Sequence, residues 1–366
     1  MISKGKICSI RLGRRLILIA GFLILLILIF SLRKYPGPVE KYYSLGLYRL
    51  IRKGFQFLFN YMPFSAGDVL YILVSVSLAT GIFQLCKLLV QGRFRNASFL
   101  FLGFFLKLQA AIAAFYILWA LNYFRHPASE RLKLNNDQYN KTQLIAVTSM
   151  LIDSVNSSRS VLVNSDFNST DQAIIESAVK AIHDLSSFDP PLIAVKPIAK
   201  PSLLSPLLNY IGTSGYYNPF TGEAQFNDRM PIFSIPFVAC HEMAHQMGFG
   251  AEDEANFVGF MAGKSSDDRL LKYSSYYLAA QEFMAEVWRT DSAAFKQIKL
   301  KISPAVIRDL ETERAYWIKY QGRTAKLSSI FYDNYLKVNK QPGGLKTYNR
   351  MIKLTMAYYH KTGFLN

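Results

Sequence analysis

The chain has 366 residues, is 51% hydrophobic and carries a formal net charge of +17. With a positive mean hydropathy, it is too apolar for a single water-soluble domain. The charge could signal nucleic acid, but residues 1–123 hold 15 Lys and Arg against two acids, Glu40 and Asp68, while residues 124–366 hold 27 against 23. The excess thus flanks apolar segments, where basic side chains meet anionic lipid, and nucleic acid is excluded as the expected partner.

Residues 16–32 form an almost uncharged apolar run, long enough to cross a bilayer. It is followed by Arg33-Lys-Tyr-Pro36 with no small-x-small cleavage site, so it reads as an uncleaved anchor. Residues 69–90 form a second run, interrupted by Gln84 and Lys87 near one end. Residues 99–121 form a third, with Lys107 and Gln109 inside it; the alternative is a long helix buried in a soluble domain. Between the first two, residues 33–68 set Tyr42, Tyr43, Leu47, Leu50, Ile51, Phe55, Leu58 and Phe59 among six basic residues, punctuated by Pro36, Pro38 and Pro63. That pattern suits an amphipathic helix lying at the membrane interface, or an ordinary packing connector. Basic residues before the first run, and Arg93 and Arg95 after the second, lean toward a cytoplasmic N-terminus, which with three spans puts residues 124–366 on the other side. The chain therefore divides into a membrane domain, 1–123, and a second domain, 124–366.

In the second domain, residues 142–155 and 170–185 have helical periodicity. Pro190, Pro191, Pro197, Pro201 and Pro206 break the next stretch into extended pieces and turns. Residues 222–227 then alternate Ala224 and Phe226 with polar residues, as a half-exposed strand does. Helical patterns return at about 273–291, 304–320 and 345–360, with a turn at Gln341-Pro-Gly-Gly344.

The chemistry lies between, in His241-Glu-Met-Ala-His245. Residues four apart share one face of an α-helix, so both imidazoles can aim at one ion, while Glu242, turned about 100° away, can reach a water beside it. Zn²⁺ suits two such nitrogens and a third protein ligand, and it acidifies a water whose proton Glu242 takes as general base. Ser234 and Pro236 mark the start of this helix, and Gly248 and Gly250 its end. The third ligand is expected in Ala251-Glu-Asp-Glu-Ala-Asn256. Glu252 has Ala255 and Gly259 on its face, which allow close helix approach, and Asn256 one turn on, placed to hydrogen-bond a ligating imidazole. Glu254 is the rival ligand, and a solvated helix N-terminus the bland alternative for the acidic cluster. Of the three cysteines, Cys8, Cys86 and Cys240, the last adjoins His241 but points about 100° away in a helix, as a small buried residue would.

His241, Glu242 and His245, followed by a glutamate with Ala at i+3 and Asn at i+4, resemble the gluzincin class of zincin metallopeptidases. The longer string HEMAHQMGFGAEDEANF is similar to an uncharacterised family of bacterial membrane-anchored zincin-like proteins, with Trp119-Ala-Leu-Asn-Tyr123 and Gly222-Glu-Ala-Gln-Phe-Asn227 inside the similarity. The resemblance implies a mainly α chain, with three N-terminal transmembrane helices followed by a zincin-like α+β domain with a small sheet. It implies zinc on His241, His245 and Glu252, hydrolysis of a peptide or protein substrate, and a place in the bacterial inner membrane with the catalytic domain extracytoplasmic. Only six residues separate His245 from Glu252, fewer than in better-known gluzincins; the third-ligand position of metzincins falls on Ala251, which binds no metal. By the same resemblance residues 222–227 take the place of the edge strand that pairs with substrate, with Glu223 and Asn227 facing the cleft or stabilising the turn. Tyr216, Tyr217 or His360 would donate to the oxyanion, unless they only pack. Two other functions fit the residues: a zincin-like binding or scaffold protein without turnover, and an amidase acting on cell-wall peptide cross-links.

Overall fold

The computed structural model describes residues 4–134, 138–188, 197–341 and 350–364. The chain is mainly helical, with one small three-stranded sheet and three membrane-length apolar helices near its N-terminus. It forms two compact units. One comprises Met1–Ile51, Ala66–Arg125 and Pro219–Thr221; the other comprises Arg52–Ser65, His126–Asn218 and Gly222–Asn366.

In the first unit, Leu12–Lys34, Ala66–Val90 and Phe94–Leu118 are each long and apolar enough to cross a membrane. Their outer faces carry exposed Ile17, Ile24, Leu73, Phe83 and Phe105, a surface suited to lipid rather than water. Two polar residues within them find backbone partners on a neighbouring helix, as an apolar surrounding favours. Arg15 donates to the Phe99 carbonyl, with its guanidinium 3.5 Å from the Phe99 ring centroid. Gln109 donates to the Ile19 carbonyl at 3.3 Å. The third helix stops at Leu118, earlier than the apolar run suggests. Trp119 leaves helical geometry, and Ala120–Phe124 form a fully buried 3-10 turn. Arg125 then grips Glu40 through two hydrogen bonds of 2.6 and 2.5 Å, tying this turn to the π-helical stretch Val39–Leu47.

The second unit is built around one buried helix, Ile235–Gln246, called the motif helix. Lys141–Ser160 begins with a capping box of Asn140 and Gln143, and packs on Arg269–Thr290. Asp171–Phe188, Glu252–Lys264 and Arg269–Thr290 surround the motif helix, with the sheet on a further side. The core includes Ala239, Cys240, Met243, Ala244, Phe226, Phe249, Leu271 and Phe283, all completely buried. Pro304–Tyr320 sends two carboxylates one turn apart inward: Asp309 to Arg159 and the Tyr273 hydroxyl, Glu313 to Ser234 and the Tyr277 hydroxyl. The helix expected at 345–360 is described over Arg350–Lys361, and most of the turn at 341–344 lies outside the described residues.

The sheet corrects one expectation. Its strands are β1 (Ala199–Pro201), β2 (Gly215–Asn218) and β3 (Glu223–Phe226), in the order β1-β3-β2. β3 is central, parallel to β1 and antiparallel to β2 with Tyr216 opposite Gln225. Residues 223–226 therefore have both edges paired within the chain and cannot take a substrate strand; the edge on the antiparallel side belongs to β2. The alternation in 222–227 marked a strand, but it could not tell an edge from a centre, since β3 is buried on both faces.

Glu223 and Asn227 serve the fold rather than face a cleft. Asn227 is buried and donates to Asn209 Oδ1 at 2.7 Å. Glu223, also buried, accepts from Lys200 Nζ at 2.7 Å. Lys200 spends its other protons on the carbonyls of Phe59 and Phe64, at 2.7 and 3.1 Å, and so caps the helix Tyr48–Phe59. Gly222, in the left-handed region at φ +70, lies where any Cβ would strike the Phe55 side chain. These contacts bind Arg52–Ser65 to the sheet. Lys200→Met should strand a buried carboxylate and cost about 3–5 kcal/mol, read as a lowered Tm in detergent. Adding Glu223→Gln should recover part of the loss; a double variant as unstable as the sum of the single losses would exclude the pairing as its origin.

Candidate metal centre

The motif helix carries no side-chain cap of its own. Ser234 stands at its N-cap position, but its hydroxyl donates to Glu313 at 3.0 Å, and the Phe237 N–H finds Ser274 Oγ at 3.1 Å. Pro236 occupies the first turn, where its missing N–H costs nothing. After Gln246 the helix stops, and Gly248 takes φ +88, which only glycine adopts without strain. Four residues later the helix Glu252–Lys264 begins and doubles back against the motif helix. Glycine makes this approach possible: a Cβ at Gly259 would sit 3.3 Å from the His241 backbone nitrogen and 3.2 Å from the Phe237 ring.

This crossing brings His241, His245 and Glu252 together. The two Nε2 atoms lie 3.2 Å apart, and Glu252 offers one carboxylate oxygen at 3.3 Å from His241 Nε2 and the other at 3.5 Å from His245 Nε2. Donors about 2.0–2.2 Å from a tetrahedral ion stand roughly 3.3–3.6 Å from one another, so the three groups are spaced to share a cation. One ligand atom from each lies within 4.8 Å of the other two, and all three residues are buried. These are the residues that could hold a metal; among the described residues no other group of His, Cys, Asp and Glu converges in this way.

Electrostatics favours positive charge at the same point. Burial pulls the His245 imidazole down, but Glu252, Glu242 and the Phe249 carbonyl together outweigh it and hold the ring up at about 9. Burial raises Glu252 in turn, and the two imidazoles more than reverse this, leaving it well below the usual carboxylate range. A metal ion or a proton can satisfy that field, and they compete for the same nitrogens. His245 Nδ1 lies 2.7 Å from the Phe249 carbonyl, an acceptor only. Nδ1 therefore bears a proton, and a neutral ring presents the Nε2 lone pair to the cluster.

Glu242 is buried on a different face of the motif helix. Desolvation pushes its carboxyl up to about 7, against the pull of His241 and His245. The strand β2 starts beside it: a Cβ on Gly215 would meet Glu242 Oε1 at 2.9 Å and the Gln225 carbonyl at 2.7 Å. Only a bare backbone fits between the edge strand and this carboxylate.

Glu254, the rival ligand, points elsewhere. Its oxygens accept from the Ala128 N–H at 2.6 Å and from Arg131 at 2.7 Å. Arg131 also lies over the Phe249 ring, 4.5 Å from its centroid, so this ion pair supports the residue whose carbonyl orients His245. All three acids of the first turn are buried, not solvated. Asn256 is buried too, yet among the described residues it hydrogen-bonds neither imidazole, and His241 Nδ1 has no partner. Cys240 faces away, its sulfur 4.0 Å from the Ala178 carbonyl, and burial pushes its thiol up. Tyr216 places its hydroxyl 3.5 Å from Ser202 Oγ. His360 makes no described contact with the cluster; its helix meets Glu252–Lys264 through Tyr358, against Phe257 and Lys264.

Sequence reasoning missed three contributors. Phe249 acts through its backbone, which no side-chain pattern reveals. Arg131 comes from more than a hundred residues upstream. Gln246 donates to the Gly222 carbonyl at 2.8 Å and accepts from the Ile198 N–H at 3.1 Å, locking the helix end to the sheet; its place directly after His245 was its only signal.

Fold and site together define a helical protein with membrane-length N-terminal helices and a buried His-His-Glu cluster in its second unit. The chain belongs to the family described as a protein of unknown function (DUF3810), whose profile matches residues 43–356. No curated protein and no solved structure matches it.

Metal analysis separates the two glutamates. Titrated with zinc as the probe ion, a metal centre at this cluster should take up about one equivalent, and Glu252→Ala should lower the affinity at least roughly tenfold. Glu254→Ala should keep the metal but lose about 3 kcal/mol of stability by stranding Arg131. Unchanged zinc in Glu252→Ala would remove that residue from the centre.

Proposed function

We propose that this protein is a membrane-anchored, zinc-dependent peptidase of gluzincin type, with zinc held by His241, His245 and Glu252. The observation that supports it most is the spacing of the three donor groups, 3.2 to 3.5 Å apart, across the crossing of two helices. When bound, zinc supplies Lewis acidity, lowering the pKa of a water and polarising a carbonyl. Glu242 takes the proton of that water and passes it to the leaving amine. Its desolvated carboxyl, raised to about 7, suits a group that must both accept and return a proton near neutrality.

The substrate class follows from the edge strand. β2 runs beside Glu242 and belongs to a sheet edge, and an extended peptide can add to such an edge through main-chain hydrogen bonds. Peptides or exposed protein segments are therefore the substrates proposed. The basic residues preceding the first apolar helix support an orientation with the metal-bearing unit on the outer face of a bacterial cytoplasmic membrane.

The test is peptide hydrolysis by the full-length protein in detergent. Chelation should abolish activity and zinc restore it, while Glu242→Gln should keep its metal and lose roughly 10²–10⁴-fold in rate. Gly215→Val should also retain metal but lower kcat/KM, because its side chain displaces either the strand or the Glu242 carboxylate. Full activity in Glu242→Gln would refute the mechanism.

A further inference from the structure

The helix Tyr48–Phe59 is built inside out. Tyr48, Arg52 and Gln56, at successive i+4 positions, form its buried stripe, with Arg52 only 5% and Gln56 7% exposed. Its outward face carries Leu50, Phe57 and Leu58, and the turn beyond adds Tyr61; these are 66%, 76%, 57% and 81% exposed. Positions 50, 54, 57, 58 and 61 fall on one helical face, and position 54 is an exposed glycine. A helix on a water-facing surface has the opposite arrangement, with cations and amides outside and aromatic and aliphatic groups inside. Exposed Arg49 and Lys53 sit beside the apolar face, where their ammonium and guanidinium heads can reach phosphates while their stems lie along apolar surface.

We infer that residues 49–61 lie flat in the headgroup layer of a bilayer, with Leu50, Phe57, Leu58 and Tyr61 inserted toward the acyl chains. The chain supplies the reason to choose lipid over another protein. This segment lies between two helices of membrane length, Leu12–Lys34 and Ala66–Val90, with four residues before the second and fourteen after the first. A dozen residues of amphipathic helix with an aromatic and aliphatic face and flanking cations is the composition of an interfacial anchor. The segment also reports to the sheet. Its C-terminal carbonyls, at Phe59 and after it at Phe64, are held by Lys200 of β1, and Phe55 lies against Gly222 at the start of β3. This inference rests on the membrane-length helices and on helix polarity, not on the peptidase reading.

The experiment uses the full-length chain in vesicles of phosphatidylcholine and phosphatidylglycerol containing a phospholipid with a photoactivatable diazirine high on its acyl chain. Adducts are mapped by mass spectrometry after irradiation. Lipid adducts on Leu50, Phe57, Leu58 or Tyr61, beside those on the three apolar helices, are the expected result. Adducts on the three helices with none between residues 49 and 61 would overturn the inference. The adducts on the apolar helices show that the protein is inserted, and zinc and peptide assays on the same sample test the metal centre separately.

Discussion

The close crossing of the motif helix and the helix Glu252–Lys264 is the constraint on which the centre depends. Two imidazoles on one helix face give two donors and no more. The third must come from another element whose backbone can approach within side-chain reach of Glu252, and a carboxylate is short. Gly259 against the His241 backbone permits that approach, and Ala255, completely buried, keeps the seam narrow. The left-handed Gly248 turns the chain tightly enough for the second helix to start seven residues after His245. Such a short connection leaves little freedom, so the geometry is set by local chain stiffness as much as by tertiary packing.

The acids around the histidines divide their work by partner. Glu252 faces the imidazoles and is held ionised by them. Glu242 is desolvated beside β2 and is held back from ionising. Glu254 neutralises Arg131 and steadies the Phe249 turn. Burying several carboxylates in one place is costly unless each has a distinct counter-charge or stays neutral, and this division meets that condition. Glu252 and Glu254 also stand in the first turn of their helix, where the helix dipole favours a carboxylate before any ligand is considered.

Much of this was legible in the residues. Apolar runs declared the three long helices, and the four-residue histidine spacing declared one shared face, because both depend on local periodicity. Small residues at 255 and 259 pointed to Glu252 through the close approach they allow, and the structure brings that residue, not Glu254, to the histidines. Long-range matters were not legible. Strand order was misread because alternation in residues 222–227 describes a pleat, not a position in a sheet. Asn256 was expected beside an imidazole on helical spacing alone, whereas a backbone carbonyl holds His245 instead. The helix Arg323–Val338 went unread although Leu327, Ile330 and Phe331 stand at helical spacing; in the structure that stripe is exposed. The reversed polarity of Tyr48–Phe59 shows the same ambiguity from the other side: periodicity tells which residues share a face, but not which face meets protein.

X-ray absorption at the zinc edge of the metal-loaded, full-length protein tests the central claim most directly. The arrangement described here predicts nitrogen and oxygen donors at about 2.0–2.1 Å, with the multiple-scattering signature of two imidazoles falling to one in His245→Ala. A sulfur donor at about 2.3 Å, or an imidazole signature unchanged by that substitution, would contradict it.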